Sequence, residues 1–302
     1  MFIVTNRNIF FTLTGLLVTA SLLSLFIFGF KLGTDFTGGV LAEAKYAGTR
    51  PPVQEVSQSL NAAGLSGYSI REAQNNSYIL RAGNISDTMR QALPQALSVN
   101  GTYSLSIERF TQIGPTIGVE LRNKALVAIA LVLVCILLFI AFAFRKVSKP
   151  VSSWVYGLIA LVTLLHDVIV PVGFYAALGH FTGAQVDTLF VTAILTVLGF
   201  SIHDTIVVFD RVRENLRINQ EYNRKEDFEM TAGKSLQQTF VRSVNTSMTV
   251  LISLLVLYFV GPETTKDFAL TLLVGIIAGT YSSIFLATPL LVTVERWRAK
   301  RK

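Results

Sequence analysis

Charge is what this chain of 302 residues is short of: Asp, Glu, Lys and Arg make up 15% of it, against about 25% in ordinary soluble domains. With 51% hydrophobic residues there is too little charge to clothe a water-soluble surface, and a membrane class comes first. Cysteine is nearly absent. The single Cys135 lies in an apolar run, which excludes an intrachain disulfide and leaves any extramembrane domain to its own core. H-E-x-x-H and the Walker-type G-x-x-x-x-G-K-[ST] are missing, as is any Ser/His/Asp constellation. His166 and His203 sit on different apolar runs without a spaced ligand partner, so no metal site is expected. The formal charge of +7 does not mark a nucleic-acid binder, because the basic residues gather at the ends of apolar runs rather than on one folded patch.

Six runs are each near the roughly 20 residues that cross about 30 Å of hydrocarbon: Ile9 to Phe30, Ala125 to Phe144, Trp154 to Leu178, Val186 to Phe209, Thr246 to Val260 and Phe268 to Val292. The fifth is short unless its polar lead-in from Ser235 is also helical. The first follows Arg7 and reads as a retained anchor, since it is long for a signal peptide and lacks a small-x-small cleavage site. Lysine and arginine mark cytoplasmic connections. They crowd the second connection (Arg145, Lys146, Lys149), the fourth (Arg211, Arg213, Arg217, Arg224, Lys225, Lys234, Arg242) and the tail (Arg296, Arg298, Lys300, Arg301, Lys302). Both termini are therefore expected in the cytoplasm of a multi-pass protein, with the first, third and fifth connections outside. The fourth connection reads either as a helix along the membrane surface or as a solvated loop.

The long first connection changes its period in a definite order. Val40 to Tyr46 alternates as a strand. Pro52 opens a helix with Val53, Val56 and Leu60 on one face, closed by Gly64; strands Tyr68 to Glu72 and Tyr78 to Arg81 flank the turn Asn75-Asn76. Ser86 caps a second helix carrying Met89, Leu93 and Leu97, and Asn100-Gly101 turns into a last strand, Tyr103 to Ile113. The order β-α-β-β-α-β is the ferredoxin-like split pattern. The expected architecture is thus a polytopic α-helical membrane protein of six transmembrane helices, with an extracytoplasmic α+β ferredoxin-like domain between helices 1 and 2. Its divisions are 1–32, the first helix; 33–123, the outer domain; and 124–302, five helices with a basic cytoplasmic loop at 210–245.

An ionisable group inside a span costs several kcal/mol, roughly 2.5 to 3.5 on insertion scales, and is a functional candidate by default. These are His166 and Asp167 in the third span, Asp187 at the outer end of the fourth, His203 and Asp204 deep in it, and Arg242 leading into the fifth. Asp210 and Arg211 mark the cytoplasmic rim. Thr188, Thr192, Thr196, Gly199 and His203 share one face of the fourth span, and that face is expected to pack on protein. Gly275 and Gly279 form a G-x-x-x-G in the sixth, expected to bring helices close. Packing does not explain the carboxyl of Asp204. An intramembrane aspartyl protease on Asp167 and Asp204 is disfavoured, since Ser-Ile-His rather than Gly-x-Gly precedes the second. Depth places Asp204 about 8 Å from the inner end of its span and Arg242 about 10 Å into a helix starting near Ser235, so the two are expected to face one another, with Asp167 as the alternative counter-charge.

DFTGGV (Asp35 to Val40), HDTIVVFDRVREN (His203 to Asn215), FVRSVNTSMT (Phe240 to Thr249) and LHDV (Leu165 to Val168) together resemble the SecF family of protein-export membrane subunits over nearly the whole chain. The resemblance implies a subunit that pairs with SecD in a twelve-helix core similar to the resistance-nodulation-division transporters, in the bacterial inner membrane. It implies a motor drawing on the proton gradient, with no cofactor and no enzymatic activity, that assists preproteins emerging from the SecYEG channel. YajC and YidC would be further neighbours, along with membrane lipid and no nucleic acid. The family's proton-linked positions fall on Asp204 and Arg242, with His203, Asp167 and Thr246 beside them. His203 stands where Asn is common, and Ser243 where Thr is common. Asp35, Gly38 and Gly39 would form a hinge or a tight turn at the root of the outer domain. An autonomous small-molecule or ion transporter is the alternative, expected to show internal duplication and broken spans, neither of which is apparent. A scaffold without transport does not account for Asp204.

Overall fold

The apolar runs fold as helices because, inside a bilayer, only a helix satisfies each backbone group within its own segment. In the computed structural model residues 2–145 and 151–300 are described. Lys146, Lys149, Arg301 and Lys302 of the basic clusters lie outside them. In chain order the helices are α1 (Phe2–Thr5), α2 (Arg7–Phe28), α3 (Thr34–Thr37), α4 (Val53–Ala62), α5 (Asp87–Leu97), α6 (Pro115–Ala143), α7 (Ser153–Thr182), α8 (Thr188–Glu221), α9 (Phe228–Val260), α10 (Glu263–Ser282) and α11 (Thr288–Ala299). Among the described residues six helical stretches are long and apolar enough to cross a membrane: α2, α6, α7, α8, α9 and the run from Glu263 to Ala299. The strands are β1 (Gly39–Tyr46), β2 (Ser69–Ala73), β3 (Ser77–Ala82) and β4 (Leu105–Ile113).

The chain divides into two compact units: residues 1–30, 128–184 and 189–302 in one, 31–127 and 185–188 in the other. In the helical unit, missing side chains set the close crossings. A Cβ on Gly275 would lie 2.3 Å from Val197, and one on Gly279 2.9 Å from Ser201, so the G-x-x-x-G packs directly on α8 as expected. Gly173 admits Ser21 in the same way, and Ser24 Oγ donates to the Gly173 carbonyl at 2.7 Å. Tyr156, Phe144 and Phe209 form an aromatic knot at the α6, α7 and α8 contact.

Three details differ from expectation. The lead-in to the fifth span is helical, the condition its length set, but it begins at Phe228 rather than near Ser235. The charged fourth connection holds neither a surface helix nor a long loop: α8 runs on to Glu221 and α9 begins at Phe228, so the two form one helical hairpin. Its polar faces explain this, because Asn215 Nδ2 donates to Ser235 Oγ at 2.8 Å and Asn219 Nδ2 to Thr231 Oγ1 at 3.1 Å, pairing side chains that water would otherwise solvate. Finally the sixth span is not uniform, since a π segment, Ser283–Ala287, joins α10 to α11.

In the other unit the strands lie in the order β2-β3-β1-β4, every neighbour antiparallel. This is the arrangement the β-α-β-β-α-β order requires. Alternation along β1 and β3 turns Ala42, Ala44, Tyr46, Tyr78 and Leu80 toward Val56, Leu60, Leu93 and Leu97 of the two helices. Tyr46 Oη donates to the Leu97 carbonyl at 2.9 Å. Ser86 caps α5 by accepting from the Met89 amide. Asn75 and Asn76 take left-handed conformations, φ 56° and 58°, as a tight hairpin turn demands.

Candidate functional site in the membrane helices

Two buried carboxyls organise the polar interior of the helical unit. Asp167 of α7 is fully buried. Ser201 Oγ of α8 and Ser282 Oγ of α10 both donate to its Oδ2, the latter at 2.8 Å, and His166 Nδ1 lies 2.8 Å from Oδ1. Three span helices therefore converge on one carboxyl. His166 is itself 3% exposed, and its Nε2 has no hydrogen-bond partner among the described residues.

Asp204 of α8 is held differently. It is 3% exposed, and its nearest partner is Ser247 of α9, whose Oγ lies 3.4 Å from Oδ2. Ser247 Oγ also sits 2.9 Å from the Ser243 carbonyl and 2.7 Å from Thr280 Oγ1 of α10, whose single proton has the Ile276 carbonyl at 2.8 Å as its other acceptor. A hydroxyl has one proton to give. With Thr280 donating to it, Ser247 can donate either to Asp204 or to the Ser243 carbonyl, and the choice depends on whether Asp204 carries a proton. Ionised, the carboxylate only accepts and draws the Ser247 proton; protonated, it donates to the Ser247 oxygen and releases that proton to Ser243. The buried hydroxyls of Thr205 and Ser243 make no hydrogen bond among the described residues.

The expected direct pairing of Asp204 with Arg242 is not present: no ion pair joins them among the described residues. Register is the reason. Asn219 meets Thr231, Asn215 meets Ser235, Arg211 Nε meets Gln238 and Asp204 meets Ser247 along an antiparallel hairpin. Arg242 then falls opposite Val207 and Val208, about one 5.4 Å turn nearer the hairpin tip. It is exposed and shares a cleft of about 440 Å³ with Val207, Asp210, Glu214 and Gln238. Thr246 returns its hydroxyl to the Arg242 carbonyl at 2.9 Å. His203 is exposed beside Asp204. The face bearing Thr188, Thr192, Thr196, Gly199 and His203 is likewise exposed on this chain, so the protein expected to pack on it is not this chain's own helices. Ser201, Ser247, Thr280 and Ser282 were not singled out as carboxyl partners by sequence: Ser201 and Ser247 lie in or beside the quoted stretches and Thr280 and Ser282 just follow Gly279, but small hydroxyls at such positions are common in helix packing.

The motif Asp35 to Gly39 belongs to the other unit. Asp35 Oδ2 accepts from the Thr188 amide at 3.0 Å and from Thr188 Oγ1 at 2.6 Å. Leu32 and Val186 form a parallel bridge, with Gly33 N donating to Val186 O and Val186 N to Lys31 O, each at 2.8 Å. Gly38 has φ 77°, and a Cβ there would lie 2.7 Å from Pro115 Cα; Gly39 has φ 138°, and its Cβ would lie 2.3 Å from the Ala82 carbonyl oxygen. Both glycines therefore serve a turn pressed against neighbouring backbone.

Residues 94–297 match the family described as protein export membrane protein SecD/SecF, C-terminal, and residues 23–49 match the SecD/SecF GG motif. Protein translocase subunit SecF of Thermobaculum terrenum is 43% identical over 97% of this chain and 93% of its own length. Its counterpart in Anaerolinea thermophila is 38% identical over 97% and 94%. The crystal structure of SecDF, a translocon-associated membrane protein from Thermus thermophilus, matches with a TM-score of 0.83 at 30% identity, covering 97% of this chain and 38% of that longer one. A SecDF structure in a super-membrane-facing form matches with a TM-score of 0.64, again at 30% identity, covering 98% of this chain and 38% of the other.

Proposed function

The chain belongs to the SecD/SecF family of protein-export membrane proteins, an accessory subunit of the Sec translocase, and from that membership we propose that it drives preprotein movement by letting Asp204 take up and release protons. Asp204 supports this reading most directly. A carboxyl 3% exposed within a span is costly, and here it is bonded to a rotatable hydroxyl rather than locked to a cation. Arg242, one turn away in an open cleft, is placed to receive the charge when α8 and α9 shift. One proton crossing 100 mV supplies about 2.3 kcal/mol, so several suffice for a domain movement of modest cost. The proton gradient is then the only energy source, with no cofactor.

SecD is the partner that the exposed polar face of α8 suits: threonines, a glycine and a histidine facing lipid are costly, and small residues favour close helix packing. SecYEG, with YajC and YidC, and the emerging preprotein complete the proposed neighbourhood, in the bacterial inner membrane with both termini cytoplasmic. Relatives named as translocase subunits point to a non-enzymatic role. The π segment beside the Asp167 cluster lends the transporter alternative one irregular span, but the exposed α8 face favours a chain that works with a second protein.

The test is Asp204→Asn. It is expected to assemble with its partner at normal yield and to lose gradient-dependent export at least tenfold, while ATP-driven translocation continues. Undiminished gradient-dependent export overturns the reading.

A further inference from the structure

The first turn of a helix leaves four amides without intrahelical partners and carries the positive end of the helix dipole. At α8 one such amide, that of Thr188, is satisfied by a carboxylate 153 residues away in sequence. Asp35 Oδ2 takes both the amide and the hydroxyl of Thr188, and the two Leu32 and Val186 bridge bonds lie directly beside it. Four hydrogen bonds thus fasten residues 31–35 to residues 186–188. From Asp35 the chain passes through the single turn of α3 to Gly38 and Gly39, whose backbones touch Pro115 and Ala82 without room for a Cβ, and directly into β1. No slack segment intervenes between the start of α8 and the central strand of the sheet.

We propose that Asp35 is a positioning residue for the proton-driven step: it clamps the outer end of α8 to the root of the sheet domain, so that displacement of the helix bearing Asp204 is delivered to β1. Thr188 and Asp204 are sixteen residues apart on that helix, about 24 Å at 1.5 Å per residue. A rigid helix carries an axial shift over that length undiminished, whereas a frayed first turn absorbs it. The inference rests on the proposed role of Asp204.

The test uses the full chain, reconstituted with its SecD partner in vesicles, and measures three things: proton flux under an imposed gradient, gradient-dependent export, and amide hydrogen exchange at residues 188–191. Asp35→Ala is expected to speed exchange about tenfold and to lower export about fivefold, the range set by losing a cap, with flux within about twofold of the parent. Asp35→Asn, whose amide oxygen still accepts, is expected to keep more than half of the export. Should Asp35→Ala fail to accumulate, Thr188→Val removes one of the two bonds and is expected to lower export at unchanged flux. Unchanged exchange in Asp35→Ala, or export and flux falling in proportion, overturns the clamp, as does equal loss in the Ala and Asn variants or full export by Thr188→Val. Asp204→Asn is the parallel control. If it retains gradient-dependent export, the functional reading fails, while the exchange result still decides the clamp.

Discussion

At the scale of single residues, Asp167 and Asp204 are equally hidden yet differently employed. Asp167 receives two serine hydroxyls and a histidine from its surroundings, each of them buried, so its removal strands Ser201 and His166, while Ser282 keeps the Gly279 carbonyl at 3.1 Å as an alternative acceptor. Each stranded donor costs about 1–3 kcal/mol. Asp167→Ala is therefore expected to destabilise the helical unit by about 2–5 kcal/mol, read as a lower unfolding temperature in detergent. Asp167→Asn, which keeps an oxygen for both serines, is expected to cost less than half as much. Equal destabilisation by the two variants would mean that charge, not hydrogen bonding, holds the cluster. Asp204 has one long bond and a hydroxyl that can turn away, which suits a group whose proton comes and goes. Both aspartates could be picked from sequence because a carboxyl in an apolar run is conspicuous. Their serine and threonine partners could not, because a hydroxyl in a span usually bonds its own preceding turn, as Thr196 does with Thr192.

At the scale of elements, the α8 and α9 hairpin shows where pattern reading fails. The apolar parts of both helices were legible to within a turn, but in the halves nearer the connecting tip the buried apolar positions thin to Val212 and Leu216 on α8 and Phe228, Ala232 and Leu236 on α9, set among charged and small polar residues that mask the helical period. Helicity there is supported by the side-chain bonds between the two arms. At the tip, Glu226 Oε2 accepts from Asn219 Nδ2 at 2.8 Å and from Thr231 Oγ1 at 3.1 Å. The Asn219 bond chiefly, with Thr231 and the nearby Lys234 and Arg224, holds the Glu226 carboxyl below the ordinary glutamate range. A carboxyl so depressed favours the folded tip above its unfolded pKa, about 4.3. That contribution fades as pH falls through the lower folded value. Amide exchange at residues 219–227 is expected to quicken below about pH 4 in the parent and to be already faster at neutral pH in Glu226→Gln, losing that acid step. An acid step that persists in the variant would assign it to another group. The sheet domain was more legible, since alternation in β1 and β3, the Asn-Asn turn and the Ser86 cap are local signals that the tertiary fold then uses unchanged.

At the scale of the whole molecule, the ends of the chain are gathered at the start of α9. Glu229 in its first turn lies 3.5 Å from Arg7 at the start of α2 and also pairs with Arg296 in the last turn of α11. Three basic or acidic groups that sequence assigned to the cytoplasm thus meet in one place, which supports placing both termini with the hairpin tip. Single cysteines placed at residues 220 and 298 in a Cys135→Ser background are expected to resist an impermeant thiol reagent in intact cells and to react after permeabilisation. Ready labelling of either in intact cells would invert the topology. What sequence could not foresee at this scale was register: depth counted from span ends set Arg242 against Asp204, whereas the side-chain bonds of the hairpin fix Ser247 there instead. The central claim, that Asp204 is the group that takes up and releases the proton, is tested most directly by pH-difference infrared spectroscopy of the reconstituted complex. A carboxyl C=O band that appears and vanishes with pH, is displaced in Ser247→Ala and is missing in Asp204→Asn is the predicted result. A difference spectrum that is the same in Asp204→Asn as in the parent would contradict it.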